Sequence, residues 1–280
     1  MLTPSETYNI LTKLSHQPKK SLGQNFLIDG NIVKKSLSLA NLQKNSIVVE
    51  IGPGLGTLTE ALLKANCSVY AIEKDPTLAK HIKSTLINKY PKTLNLLEGD
   101  AVQFPLANLT NNPPQENFQI IANLPYAIAS PWMEGVLEQK KLPTQMTLML
   151  QKETADRYNS LPGSKNFGSI SIFLHSAFNF KKTFLVSKSC FYPIPKVDSV
   201  LLHMELKSNP FFFNPTARKL IRNIFTQRRK QLGTLCKYYE KDYPNLTSWV
   251  DFLSKQEFNL KLRPEAVPID IWKTLNNYVT

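Results

Sequence analysis

The sequence predicts an α/β protein: a Rossmann-like, largely parallel sheet with helices on both faces, followed by a small all-helical C-terminal domain. Three observations predict it. From Ser46 onward, short apolar runs alternate with helix-like stretches. The first run ends in a glycine-rich turn, E-I-G-P-G-L-G at 50–56. After Lys207 the strand signal ends and helical periodicity takes over. Apolar strands separated by helices are what a parallel sheet covered on both faces requires.

Residues 1–20 read as a short helical or loose arm carrying Lys13, Lys19 and Lys20. SIVVEIG (46–52) is the first strand, TLTEALLKA (57–65) a helix and CSVYAIE (67–73) the second strand. DPTLAKHIKSTLINKY (75–90) reads as one helix, with Asp75 as N-cap and Pro76 in the first position. TLNLLEGD (93–100) is the third strand and FQIIANLP (118–125) the fourth. A helix follows Ser130-Pro131, and TQMTLMLQKE (144–153) is the fifth strand. The alternation then stops. HSAFNFKKTFLV (175–186) and DSVLLHMEL (198–206) are two strands with no helix between them, and their link carries Pro193 and Pro195. Such a hairpin-like pair closes a sheet edge. Residues 215–236 place Ala217, Leu220, Ile221, Ile224, Phe225, Leu232 and Leu235 on one helical face, with Arg218, Lys219 and Arg222 largely away from it. Residues 245–280 also read as helical. The expected domains are therefore 1–207, including the basic arm, and 208–280.

The bulk numbers narrow the class. The chain has 280 residues, 42% of them hydrophobic, enough for a packed core. Its longest apolar runs are too short to span a bilayer, and its first residues lack a secretory pattern, so no membrane association and a cytoplasmic location are expected. Cys67, Cys190 and Cys236 are isolated from one another, which argues against a disulfide framework or a zinc site. No metal is expected. Thirty-four Lys and Arg against 21 Asp and Glu give +13, a surplus that favours a polyanionic partner. The surplus is concentrated: 206–239 holds eight Lys or Arg and no acid. Arg228, Arg229 and Lys230, beside Lys219 and Arg222, are the candidate RNA contacts.

Glycines let the backbone approach a ligand closely, and the end of a first parallel strand is where open sheets bind cofactors. A G-x-G-x-G run alone is weak evidence. Here Glu73 ends the second strand, placed to accept from ribose hydroxyls, and Asp100 ends the third, placed to accept from a cofactor's adenine amine. That set leaves two cofactor classes open, dinucleotides and S-adenosyl-L-methionine. The fourth strand decides between them. It ends in Asn123-Leu124-Pro125-Tyr126. An adenine amine is a poor nucleophile because its lone pair is delocalised into the ring. The Asn123 side-chain oxygen and a backbone carbonyl near Leu124 can accept its two protons, while Pro125 stiffens the turn. Catalysis of this kind is positioning and electrostatics. Tyr126 offers a face on which a base can stack.

With these residues in view, the sequence resembles the ribosomal RNA adenine N6,N6-dimethyltransferases of the KsgA type, related to the Erm-type large-subunit rRNA adenine methylases. The resemblance runs from about Pro18 to Trp272. Its motifs are KSLGQNFL (20–27), EIGPGLGTLT (50–59), Glu73, Gly99-Asp100, Asn123 to Tyr126, QKE (151–153), PGSK (162–165), FYPIPKVDSV (191–200), FTQRRKQL (225–232) and RPE (263–265). It implies a methyltransferase sheet that binds S-adenosyl-L-methionine and a helical RNA-binding domain. It further implies that Asn25 and Leu27, with Gln24 nearby, touch the cofactor. Gly52 then lines its methionine part, Glu73 holds the ribose, Asp100 holds the adenine, and Asn123 serves both cofactor and target amine. Phe191 is implied as the second side of a base sandwich with Tyr126. The implied substrate is a pair of adjacent adenosines in small-subunit rRNA, within a pre-ribosomal small subunit, and the implied enzyme is a monomer. The chain departs from the family pattern at Tyr158, Phe167 and Val267, where Leu, Tyr and Leu are usual. An Erm-type activity shares the chemistry, but the long FYPIP and RPE segments fit it less well. An assembly factor without catalysis is disfavoured by the intact 123–126 element. A nicotinamide dehydrogenase is disfavoured because no hydride-handling His or Tyr/Lys pair is present.

Overall fold

The computed structural model describes residues 2–107, 109 and 117–279. The elements in chain order are α1 (Pro4–Lys13), β1 (Phe26–Leu27), α2 (Gly30–Leu39), β2 (Ile47–Ile51), α3 (Thr57–Lys64), β3 (Ser68–Glu73), α4 (Pro76–Ile82), β4 (Leu94–Glu98), β5 (Phe118–Asn123), α5 (Ala129–Leu137), β6 (Gln145–Gln151), α6 (Lys152–Tyr158), α7 (Ser169–Ala177), β7 (Phe178–Val186), β8 (Phe191–Tyr192), β9 (Ser199–Leu206), α8 (Pro215–Thr226), α9 (Leu232–Tyr239), α10 (Leu246–Lys255) and α11 (Ile269–Leu275). They form two compact units, Met1–Ala155 with Phe180–Leu206, and Asp156–Asn179 with Lys207–Thr280.

The first unit is built on a seven-stranded sheet of order β4-β3-β2-β5-β6-β9-β7. β2 pairs in parallel with β3 and β5, β3 with β4, and β5 with β6, whereas β9 runs antiparallel to β6. Strand order reverses between β2 and β5, so a crevice opens at the carboxyl ends of these two strands. β2 is buried along nearly its whole length, as a strand covered on both faces must be. The apolar core gathers Val48, Leu62, Val69, Ala71, Ile121 and Met149 from the sheet and α3. β1 and β8 form a separate two-stranded ribbon, Phe26 opposite Tyr192 and Leu27 opposite Phe191.

The arm at 1–20 is helical at α1, which a Thr3/Glu6 capping box opens. Other sequence expectations are corrected. The single helix expected at 75–90 is α4, capped as expected by Asp75, followed by a π-helical stretch over Lys83–Ile87. The strand expected from His175 begins at Phe178, because α7 runs through Ala177 with no breaker before the backbone turns extended. The domain boundary expected at 207/208 leaves out 156–179, which cluster with the second unit. α7 explains that excursion: it is buried on almost every side, and a helix buried all round needs neighbours, among which are α8 and α11.

In the second unit the face expected over 215–236 is split between α8 and α9, with 227–231 linking them. Asn214 caps α8 by accepting from the Ala217 amide, and Pro215 occupies the first turn. Phe167, Phe225, Trp272 and Trp249 form a chain of ring contacts with centroids 5.8–6.1 Å apart. Tyr158, Phe167 and Val267, the departures from the family pattern, are fully buried, so they are packing choices. Arg218, expected away from the apolar face, is buried with its guanidinium 5.0 Å from the Phe173 ring centre.

Candidate active site

One cavity in the first unit is lined by the turn after β2, the ends of β3 and β5, the Gly99-Asp100 pair and residues 21–27. Three glycines of the turn, Gly52, Gly54 and Gly56, take positive φ. At Gly52 a side chain would also collide with Pro125, 3.1 Å from the position its Cβ would take. The glycine turn and the Asn123–Tyr126 element therefore lie side by side in the lining of one cavity.

Glu73 is buried at the end of β3 and accepts hydrogen bonds from the Gly54 amide (3.0 Å) and the Asp75 amide (2.9 Å). Burial pushes its carboxyl up despite those two donors. Asp100 is held below the usual carboxylate range by Lys74, whose ammonium lies 2.7 Å away, and by the Val102 amide at 2.9 Å. Both Asp100 oxygens are engaged, but each retains a lone pair for a further donor. Lys74, which the sequence reading did not select, lines the cavity too.

Glu50 is the other omission. It sits in β2 with 1% of its surface exposed, lines the cavity, and its Oε2 has no hydrogen-bond partner among the described residues. Burial, reinforced by the Glu73 charge, pushes its carboxyl up to about 8. A buried oxygen without a donor is costly, and a ligand that brings a cationic or N–H donor removes that cost. The signal was present in the sequence: an acid inside an otherwise apolar strand run.

Asn123 ends β5, and the following Leu124 amide bonds to the Met149 carbonyl at 3.2 Å. The Asn123 Nδ2 donates to the Asn25 carbonyl at 3.0 Å, which fixes the amide and leaves its oxygen as an acceptor. Asn25 in turn donates to the Gly23 carbonyl at 3.1 Å. Pro125 leads into a single 3-10 turn, Tyr126–Ile128, and the half-buried Tyr126 lines the cavity. Leu27 and Asn25 line it as well. Phe191 does not. Its ring is 1% exposed, packed in the core with Leu27 and Val33, and offers no face to a base. The pairing of β8 with β1 draws that side chain inward, which corrects the sandwich expected with Tyr126.

Gln24 lines the cavity as well and ties the segment down. It donates to Asp75 at 3.1 Å, and the Lys19 ammonium reaches the same carboxylate oxygen at 2.8 Å. No cluster of three or more metal-ligating acids, histidines or cysteines occurs among the described residues, and no helix is long and apolar enough to cross a membrane.

Among the basic residues of the second unit, Lys219, Arg229 and Lys230 are exposed. Arg222 is half-buried, 5.8 Å from the Phe173 ring centre. Arg228 donates to the Lys165 carbonyl (2.9 Å) and lies 3.7 Å from the Glu265 carboxylate, so it already serves the fold.

Residues 15–247 match the ribosomal RNA adenine dimethylase family. The chain belongs to that family. Over 274 residues it is 51% identical to the ribosomal RNA small subunit methyltransferase A of Opitutus terrae, with 98% of each chain covered. A crystal structure of a dimethyladenosine transferase from Plasmodium falciparum superposes with a TM-score of 0.73 at 26% identity, over 89% of this chain and 96% of the other. The 23S rRNA methyltransferase ErmE has the same fold, with a TM-score of 0.62 at 23% identity over 91% and 99% of the two chains. This rRNA adenine dimethylase is thus a methyltransferase whose Rossmann-like sheet carries the glycine turn and the Asn123–Tyr126 element on one rim.

Proposed function

We propose that this enzyme methylates the N6 amines of two adjacent adenosines in small-subunit rRNA, each to the dimethyl state, with S-adenosyl-L-methionine as donor. The observation that supports the reading is that Gly52 and Asn123–Tyr126 line one cavity, with Pro125 close beside the Gly52 backbone. S-adenosylmethionine supplies an electrophilic sulfonium methyl group. Glu50 and the Gly52–Gly54 backbone would hold its methionine end, since Glu50 presents an orphaned buried oxygen there. Glu73 would accept from the ribose hydroxyls and Asp100 from the adenine amine, with Asn25 and Leu27 covering the site from the N-terminal segment.

The target adenine has to leave its stack to reach such a cavity. Tyr126 would then hold it by its face. The Asn123 oxygen, oriented by the bond from Nδ2 to Asn25, accepts one amine proton, and the Leu124 carbonyl accepts the other. Both acceptors draw the amine lone pair out of ring conjugation and point it along one line. No strong base is needed, because the nitrogen becomes acidic once it carries the methyl group. The same reading has the enzyme acting as a monomer, in the cytoplasm, on rRNA within an assembling small subunit, with residues 208–280 and the exposed Lys219, Arg229 and Lys230 gripping phosphates.

Asn123→Ala tests the reading. Methyl transfer to pre-subunit rRNA, measured by mass spectrometry of the digested RNA, is expected to fall at least a hundredfold, by analogy with loss of one transition-state hydrogen-bonding group, about 10²–10³ in rate. The thermal unfolding profile should be retained. Wild-type turnover in that variant would remove Asn123 from the chemistry.

A further inference from the structure

The Tyr126 face can serve a base only if it is held in one place. A phenol side chain on a short 3-10 turn swings about its Cα–Cβ bond unless its far end is held. In this structure it is held. The Tyr126 hydroxyl shares a hydrogen bond with the Ser199 Oγ at 2.5 Å. Ser199 is fully buried at the first position of β9, opposite Gln151 of β6. The residue before it is held twice. The preceding Asp198 carbonyl accepts from the Lys152 amide at 3.2 Å, and the Asp198 carboxylate accepts from the Lys188 amide at 3.0 Å. At the near end, a side chain on Gly23 would come within 3.2 Å of the Tyr126 amide, so the N-terminal segment packs against the ring's backbone.

We propose that Ser199 is a positioning residue for base recognition: its hydroxyl pins the Tyr126 hydroxyl, so that the side chain cannot swing about its Cα–Cβ bond away from the target adenine. The inference rests on the reading of Tyr126 as the stacking platform. Burial of Phe191 makes the pin more important, since no second aromatic face closes on the base from that position. The pin also joins the two ends of the sheet's chemistry. β5 supplies the acceptors and leads into the ring, and β9, two strands away, holds the ring's far end. Stacking strength depends on offset and tilt, so a ring free to rock binds the base in poses that misalign its amine.

A double-mutant cycle on the full-length enzyme tests it, with purified pre-subunits lacking the methyl groups as substrate. Ser199→Ala and Tyr126→Phe each delete one half of the pair. Each is expected to lower kcat/KM for the RNA about tenfold, the scale of one part-buried hydrogen bond. S-adenosylmethionine affinity, measured by calorimetry, should stay at the wild-type value. The double variant should lose no more than either single one, because the second change removes a partner already orphaned. A structural role of Ser199 unrelated to the ring would instead give losses that multiply to about a hundredfold. Multiplying losses, or wild-type kinetics in Ser199→Ala, overturn the proposal. If Ser199→Ala does not fold, Tyr126→Phe breaks the same bond without touching β9, and wild-type kinetics there overturn it equally. Tyr126→Ala separates the two levels. Full activity in that variant sinks the stacking platform itself, whereas an inactive Tyr126→Ala beside a fully active Ser199→Ala sinks only the pin.

Discussion

Glu50 interrupts the apolar run of β2, and its carboxyl, pushed up to about 8 by burial with the Glu73 charge adding to the effect, stays protonated at neutral pH in the free protein. The consequence for stability has a definite sign. In the unfolded chain such a group titrates near 4.3, so between about 4.3 and 8 the native state binds more protons than the unfolded one. Stability therefore falls as pH rises through that window, by at most about 1.4 kcal/mol per unit for a single group. Glu73, also raised by burial, adds a contribution of the same sign. Glu50→Gln removes only the first. Urea unfolding of wild type and Glu50→Gln at several pH values between 5 and 8 should therefore give a difference that widens in favour of the variant as pH increases. Parallel curves would mean that Glu50 titrates as an ordinary exposed acid. At this scale the sequence made Asn123, Glu73 and Asp100 legible because each stands at a strand end where the apolar pattern stops. Ser199 was not legible. A serine at the start of a strand has no pattern to mark it, and only the fold brings it to Tyr126, 73 positions earlier in the chain.

Among the elements, the segment at 19–27 has the least regular structure for the role proposed for it, and α4 supplies its anchor. Asp75 caps α4 through Oδ1, accepting from the Thr77 amide at 3.0 Å, while Oδ2 receives Lys19 and Gln24. Burial opposes ionisation of Asp75, yet Lys19, Gln24 and the nearby His16 together hold it below the usual range. One carboxylate thus starts the helix that follows β3 and latches the segment that carries Asn25 and Leu27 to it. Asp75→Asn separates those tasks, since asparagine caps a helix as well as aspartate but loses the charge. The variant should keep its thermal stability to within about 1 kcal/mol, the usual worth of one partly exposed ion pair. Its S-adenosylmethionine affinity should weaken about five- to tenfold as the segment loosens, an effect of about 1 kcal/mol. Unchanged affinity, read by calorimetry, would show that the latch is irrelevant to the donor. The elements were legible where capping and period agreed, as at Asp75-Pro76 and Asn214-Pro215. They were misread where two periods abut without a breaker, as at the junction of α7 and β7, or where a continuous apolar face conceals a break, as between α8 and α9.

For the whole molecule the charge pattern was plain in the sequence, but what each charge does was not. Of the basic residues between 206 and 239, Arg218 is buried against Phe173, Arg222 is half-buried beside the same ring, and Arg228 joins FTQRRKQL to PGSK and RPE by reaching Lys165 and Glu265. These three are part of the helical unit's construction, since guanidinium groups pack and pair where lysines stay in water. The Gly163 amide, bonded to the Glu265 carbonyl at 2.7 Å, belongs to the same junction. An alanine at Arg228 would therefore confuse loss of RNA contact with loss of structure. Lys219, Arg229 and Lys230 are exposed and suit the question better. Each phosphate contact to single-stranded RNA contributes about 0.7 to the slope of log affinity against log salt. Replacing all three by alanine should lower that slope by about 2. The described residues that line the cavity proposed for the donor all belong to the first unit, so donor affinity should not change. A titration of rRNA binding from 50 to 300 mM salt, roughly the range over which counterion release dominates, reads the slope directly. A slope equal to wild type would place the RNA-binding surface elsewhere on this +13 chain, and the acid-free stretch at 206–239 would then owe its composition to Arg218, Arg222 and Arg228 as packing residues.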